Sequence, residues 1–212
     1  LYNGAVCEDS LIYAYRFNVL TGLRTGEMMG LEWGDIDDDF IHIRRAINAK
    51  GVTTGGKNGY AKRDFPQTRQ TRDILKAQEK YRQSPNNPHE RVFGDIGQLC
   101  YRERWGKFCK YNGIPYVTPY ELRHTFKSLY KGEIRGLPDA EKNIPTFQDW
   151  TIEEIMGHVH SGMPGVYGHT LDGDMDMVPQ LLESVFDARL ERGKEIFLKK
   201  FCKNPLPSDS TS

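Results

Sequence analysis

Two arginines stand ninety-nine residues apart, each inside a dense polar motif. A chain that uses both on one ligand must fold so that distant segments return to one place. The first motif is Thr21-Gly22-Leu23-Arg24-Thr25-Gly26-Glu27, and the second is Thr118-Pro119-Tyr120-Glu121-Leu122-Arg123-His124-Thr125-Phe126. A third polar segment, Gly157-His158, is followed nine positions after the histidine by Tyr167. Arginine is the side chain best matched to phosphate, being a planar, permanently charged fork that donates two parallel hydrogen bonds. Two such forks, a histidine and a phenol can hold a phosphodiester and attack it without a metal.

At 212 residues the chain has ample core for one large domain, and its 38% hydrophobic and 27% charged content is that of a globular protein. No apolar run approaches the roughly 20 residues that span a bilayer, so a membrane partner is not expected. No charged-then-apolar leader opens the chain, which begins at Leu1 and reads as a fragment of something longer. Cys7, Cys100, Cys109 and Cys202 show no CxxC spacing, which favours buried free thiols in a reducing cytoplasm over a disulfide framework. The net charge of zero hides a strong partition: residues 41–131 carry 19 Lys/Arg against 7 Asp/Glu, a net of +12, whereas 1–40 and 132–212 are each −6. A basic middle segment is the electrostatic footprint of a polyanion partner, unless folding intermixes the signs.

Helical spacing of Leu11, Ile12, Tyr15 and Val19 predicts a helix over 8–20, stopped by Gly22. A second helix is expected over Thr25–Trp33, with Thr25 as its N-cap, followed by an acidic turn at 34–39. Residues 40–47 read as a strand, and 61–66 as its return partner across the glycine-rich turn 53–60 that carries Lys57. Further helices are predicted at 71–83 and 97–111. Thr118-Pro119-Tyr120-Glu121 is a strong helix start, with Thr as cap, Pro at the first position and Glu three after the cap. That helix would put Tyr120, Arg123 and His124 on one face. Thr151-Ile152-Glu153-Glu154 repeats the capping pattern before a short helix ending near Gly157. Residues 131–149 read as a loop or insertion, 178–201 as a long amphipathic helix, and 205–212 as a disordered tail. The fold class is therefore mixed α/β (α+β), mainly helical with a small antiparallel β-sheet.

Taken singly, each polar candidate has an ordinary alternative. Arg24 sits near a helix start, where free N–H groups favour an anion, and Glu27 one turn on can hold its guanidinium; a surface salt bridge would look the same. Lys57 can be a solvated turn lysine, and on spacing alone Lys62 or Arg63 would serve as well. His158-Val159-His160 admits a metal reading but lacks acidic or cysteine partners nearby. Tyr167 can be a packing aromatic.

Their order and spacing together are far more specific, and the chain resembles the catalytic domain of the tyrosine recombinases, the phage integrase family. Thr21-Gly22-Leu23-Arg24 with Glu27, then Leu31-Glu32-Trp33-Gly34-Asp35-Ile36, resembles the first arginine box. Leu122-Arg123-His124-Thr125-Phe126 resembles the second, and Gly157-His158 with Tyr167-Gly168-His169 the third. Lys57 ahead of Arg63-Asp64-Phe65-Pro66 matches the hairpin lysine. The likeness runs to Thr170. It divides the chain into a catalytic domain, 1–175, and a C-terminal helix with flexible tail, 176–212, and it implies preceding DNA-binding domains that are absent here.

The resemblance implies a site-specific DNA recombinase or integrase of a phage or mobile element, acting on double-stranded DNA as a homo-oligomer, a tetramer on DNA, in a prokaryotic cytoplasm. It implies that Tyr167 attacks the scissile phosphorus to leave a 3′-phosphotyrosyl bond and a 5′-hydroxyl. Arg24 and Arg123 clamp the non-bridging oxygens, Lys57 protonates the leaving oxygen and His158 hydrogen-bonds the phosphate. A phenol with a pKa of about 10 needs nearby cations to become a nucleophile at neutral pH, and a covalent intermediate lets strands rejoin without ATP or any cofactor. Two departures stand out. The position three before Arg123, usually His or Lys in the family, is Tyr120, with His124 as the alternative group; and thirty-four residues separate Arg123 from His158, an excess that maps to 131–149. The resemblance implies that the helix 178–201 docks on a neighbouring protomer, while packing on its own chain is equally open. Other readings are a type IB topoisomerase, a DNA-binding module without catalysis, and, remotely, a metal-dependent hydrolase on His158 and His160.

Overall fold

The computed structural model describes residues 9–55, 62–82, 87–131, 155–157 and 178–201. In chain order these form α1 (Ile12–Thr21), α2 (Thr25–Gly30), a 3-10 turn (Trp33–Asp35), β1 (Phe40–Ile43), β2 (Ala46–Ile47), β3 (Thr53–Thr54) and β4 (Arg63–Pro66). Then follow α3 (Arg69–Gln78) with a 3-10 extension (Glu79–Tyr81), α4 (Gln98–Tyr111), α5 (Pro119–Lys131), a helical turn at 155–157 and α6 (Val178–Phe201). Mainly helical with a small antiparallel sheet, the architecture is the expected one.

α1 is the hub, packing on both α3 and α5. Tyr15 meets Tyr101, Trp105 and Phe108 of α4 with ring centroids 5.4, 5.0 and 5.2 Å apart in tilted contacts, the offset geometry that aromatic quadrupoles favour. On the other side Phe126 of α5 bridges Phe65 of β4, at 6.3 Å, and Tyr130, at 4.6 Å. One core thus joins the sheet to the helices.

β1 pairs antiparallel with β4, as the sequence predicts, and the register puts Ile41 opposite Phe65 and Ile43 opposite Arg63. The rest of the expected strand differs. It breaks at Arg44-Arg45, because Arg45 swings onto the Asp35 carboxylate and donates to the Gly30 carbonyl at 3.2 Å. Beyond the break β2 turns at Asn48, whose Oδ1 accepts from the Lys50 and Val52 amides, and pairs with β3. The first reversal therefore precedes the glycine-rich stretch. The helix expected to reach Trp33 stops at Gly30, because Leu31 turns extended and its carbonyl accepts from Val92 N at 2.9 Å while Trp33 N donates to Glu90 O at 3.1 Å. α3 begins at Arg69 rather than Thr71, since Thr68 is the cap: its Oγ accepts from the Thr71 amide, and Thr71 Oγ accepts from the Thr68 amide.

α6 packs on its own chain over its first half. Val178, Leu182 and Val185 are buried, the Tyr130 hydroxyl donates to Leu182 O, and Arg69 and Gln70 both donate to Asp187. Cys109 is buried, but Cys100 is exposed on the outer side of α4, contrary to the expectation for all four thiols. Cys7, Cys202, the 131–149 insertion beyond Lys131, the capping pattern at 151–154 and the tail lie outside the described residues.

Candidate functional site

Glu27 is the local organiser of the first arginine motif. Arg24, not Thr25, occupies the cap position of α2, with extended backbone that turns its amide toward Glu27. That amide donates to Glu27 Oε2 at 2.9 Å, and the Arg24 guanidinium donates to Oε1 at 2.8 Å. Arg63 of β4 approaches the same carboxylate from the opposite side, Nη2 to Oε2 at 2.9 Å and Nη1 to Oε1 at 3.2 Å. Burial alone would raise the Glu27 carboxyl. The hydrogen bonds and charge of Arg63, with the amide and guanidinium of Arg24, reverse that and hold its pKa at about 2. Glu27 is therefore ionised throughout the neutral range, and Arg24, 43% exposed, is held by it while still facing solvent.

Arg123 comes from the middle of α5 and is 2% exposed. The capping expected at the start of that helix is present, with Glu121 N donating to Thr118 Oγ at 3.2 Å and the Thr118 amide bonded back to the Glu121 carboxylate. One Arg123 nitrogen, Nη1, donates to Gly22 O at 2.7 Å, and the other, Nη2, donates to Met156 O. The first motif, the second motif and the turn just ahead of His158 therefore converge on one guanidinium. Burial first, then the charges of Arg24 and Arg63, lower the Arg123 pKa to about 10, with Glu27 and Tyr120 opposing. Arg123 stays protonated at neutral pH. Two guanidinium groups share the Glu27 carboxylate, and the charge of the third, Arg123, is felt by the same cluster, so among the described residues positive charge predominates here and favours an anion. α2 is too short, at six residues, for its helix end to be the source of that attraction.

Gly22 makes the convergence possible. Its φ of +59° ends α1 in a left-handed cap, and a Cβ built there would lie 2.7 Å from Phe126 Cγ and Cδ1. Gly22→Ala is expected to cost about 3 kcal/mol from the left-handed backbone and the overpacking together, lowering the melting temperature by roughly 6–12 °C. Calorimetry checks this.

Tyr120 is 59% exposed, and its ring meets that of His124 edge-on at 4.9 Å. Tyr120 lies one turn before Arg123 and His124 directly after it. Both are exposed whereas Arg123 is buried, so of the three residues expected on one face Tyr120 and His124 share it while Arg123 is turned into the protein. Arg63, weighed in the sequence only as a possible stand-in for Lys57, is instead committed to Glu27 and, through Nε, to Ile155 O at 2.8 Å. Its inward direction was legible: residues i and i+2 of a strand share a face, and Phe65 is fully buried. Lys57, His158, His160 and Tyr167 lie outside the described residues. Among the described residues no group of three His, Cys, Asp or Glu side chains is placed to hold a metal ion.

The sequence model of the phage integrase family matches residues 7–135, more than half of the chain. This chain belongs to the phage integrase family. Solved structures agree on the fold of this family member. The Tn1549 transposon integrase in complex with transposon right-end DNA superposes with a TM-score of 0.55 at 19% identity, covering 71% of this chain and 51% of that one. The XerA recombinase superposes with a TM-score of 0.51 at 22% identity, covering 74% and 51%. The chain spans about half the length of these two proteins. No match is found among curated proteins. No helix among the described residues is long and apolar enough to cross a membrane.

Proposed function

We propose that this chain is the catalytic domain of a site-specific DNA recombinase, an integrase that cuts and rejoins duplex DNA through a covalent 3′-phosphotyrosyl intermediate. The observation that carries the reading is the buried Arg123 guanidinium, bonded to the first arginine box through Gly22 O and to the turn before His158 through Met156 O, with Arg24 beside it. In this reading Arg24 and Arg123 hold the non-bridging oxygens and stabilise the charge that accumulates on the five-coordinate phosphorus. The Tyr167 oxygen forms the new bond to phosphorus while the bond to the 5′-oxygen breaks, and Lys57 supplies the proton that oxygen takes up. His158 donates a hydrogen bond to the phosphate, and Glu27 keeps Arg24 in place. Residues 1–175 form the catalytic unit, and 176–212 the C-terminal helix and tail.

The substrate is double-stranded DNA. Lys62, Lys76, Lys107 and Lys110, all exposed, present the positive excess of the central segment to its backbone. The Tn1549 integrase bound to transposon-end DNA supports this by analogy. The working form is a homo-oligomer on DNA, in the reducing cytoplasm of a prokaryotic or phage-infected cell.

Tyr120 takes the place next to the phosphate that a histidine or lysine more often fills, and donates its phenol proton there as a hydrogen bond. Tyr120→Phe is then expected to slow cleavage by about 10-fold, the worth of one hydrogen bond to a charged group, with DNA affinity unchanged. Single-turnover assays at saturating DNA measure it.

The reading itself is tested with a nicked suicide duplex, which traps the covalent adduct by letting the short strand diffuse away. Wild-type protein should form a denaturation-resistant DNA adduct, and Tyr167→Phe should form none. An adduct that survives in Tyr167→Phe would overturn the assignment, and relaxation of supercoils without strand transfer to a new partner would reassign the chain to the topoisomerases.

A further inference from the structure

We propose that Arg63 is a positioning residue for strand cleavage, tying the first arginine box to the turn that enters the third. The proposal rests on the DNA-cleaving reading above and adds to it a residue outside the catalytic set. Arg63 opens β4, directed inward on the same face as Phe65, and its side chain is only 8% exposed. Its fork grips both oxygens of Glu27, at 2.9 and 3.2 Å, and Nε donates to Ile155 O at 2.8 Å. A planar guanidinium can satisfy a carboxylate with one edge and a carbonyl with another at fixed angles.

The third contact is steric. Gly157 sits against the flat of the same guanidinium: a Cβ there would fall 3.0 Å from Arg63 Cδ and Nη1 and 3.2 Å from Cζ, and the residue has a φ of +65°. Arg63 therefore fixes two carriers of the chemistry at once. Through Glu27, whose carboxylate also holds the amide and guanidinium of Arg24, it sets where the first clamping arginine points. Through Ile155 O and the face of Gly157 it sets the path of the backbone immediately before His158. Residues 27, 63 and 155 come from three distant stretches of chain, and one side chain joins them. Its fork faces Glu27, so it acts on the phosphate through Arg24.

The test uses the full chain with Arg63→Lys and Gly157→Ala. The lysine keeps the charge but loses the fork. The alanine keeps Arg63 but puts a methyl against it. The probe is a duplex recovered from a randomised pool by binding to the wild-type protein, with a nick walked along it to locate cleavage. Both variants are expected to bind that duplex within about 3-fold of wild type yet cleave it about 100-fold more slowly in a single turnover at saturation, the cost of an ångström-scale misplacement. Amide exchange followed by mass spectrometry should speed up in a peptide holding 155–157 and stay unchanged in α1, which separates a local loss of position from general destabilisation. Cleavage by Arg63→Lys at the wild-type rate, or unchanged exchange at 155–157, would overturn the positioning role while wild-type adduct formation leaves the recombinase reading intact. Binding by wild type with no adduct at any nick would overturn both.

Discussion

Arg123→Lys is expected to slow single-turnover cleavage of saturating nicked duplex by about 10²–10³-fold, the usual cost of losing one preorganised donor to a developing oxyanion. DNA affinity should stay within a few-fold. The reason is geometric first. Arg123 spends two nitrogens on Gly22 O and Met156 O, from parts of the chain 134 residues apart in sequence, and a lysine ammonium cannot span both and still meet a phosphate.

A second consequence separates this substitution from a simple loss of contact. Burial and the neighbouring charges of Arg24 and Arg63 bring Arg123 from 12.5 to about 10. A lysine starts near 10.4, and the same burial and neighbouring charges would push it down towards the neutral range. Residual cleavage by Arg123→Lys should therefore fall on the alkaline side of neutrality, as the ammonium loses its proton, with no matching fall in the wild type. Rates measured from pH 6 to 9 show whether the new titration is there. A flat profile together with near-wild-type activity would mean that Arg123 is a packing residue.

What could be read directly from sequence was local. The start of α5 was legible because Thr118, Pro119 and Glu121 each contribute a separate capping preference, and α6 because its apolar spacing persists for six turns. The Arg24–Glu27 pair was legible because three residues make one helical turn. The errors arise where distant partners decide. Leu31 and Trp33 leave the helical path to bond Val92 and Glu90, and Arg45 breaks a strand to reach Asp35. The same limit applies to the site. Sequence order placed Arg24 and Arg123 in one family pattern, but nothing in spacing alone says that the Gly22 and Met156 carbonyls receive Arg123, or that Arg63 and Arg24 share a carboxylate. Only strand alternation beside Phe65 marked Arg63 as inward, and an inward arginine demands an acid.

That acid is the origin of the other large effect. Glu27→Ala is expected to destabilise the fold by about 3–5 kcal/mol, the cost of leaving a buried arginine without its partner. Glu27 and Arg63 are 5% and 8% exposed, so solvent does little to screen the loss. Titration gives a separate figure. A carboxyl moved from 4.5 to about 2 contributes roughly 3 kcal/mol. Because the folded value lies below the unfolded one, this stabilisation is present above pH 4.5 and drains away as pH falls through about 2. Urea unfolding at pH 7, 5, 4 and 3 should show the wild type weakening across that acid window and Glu27→Ala, already weaker at neutral pH, lacking this part of the slope. Equal stability of the two proteins at pH 7 would mean that Arg63 finds another acceptor when Glu27 is gone, and the carboxylate would lose its place as the organiser of the cluster.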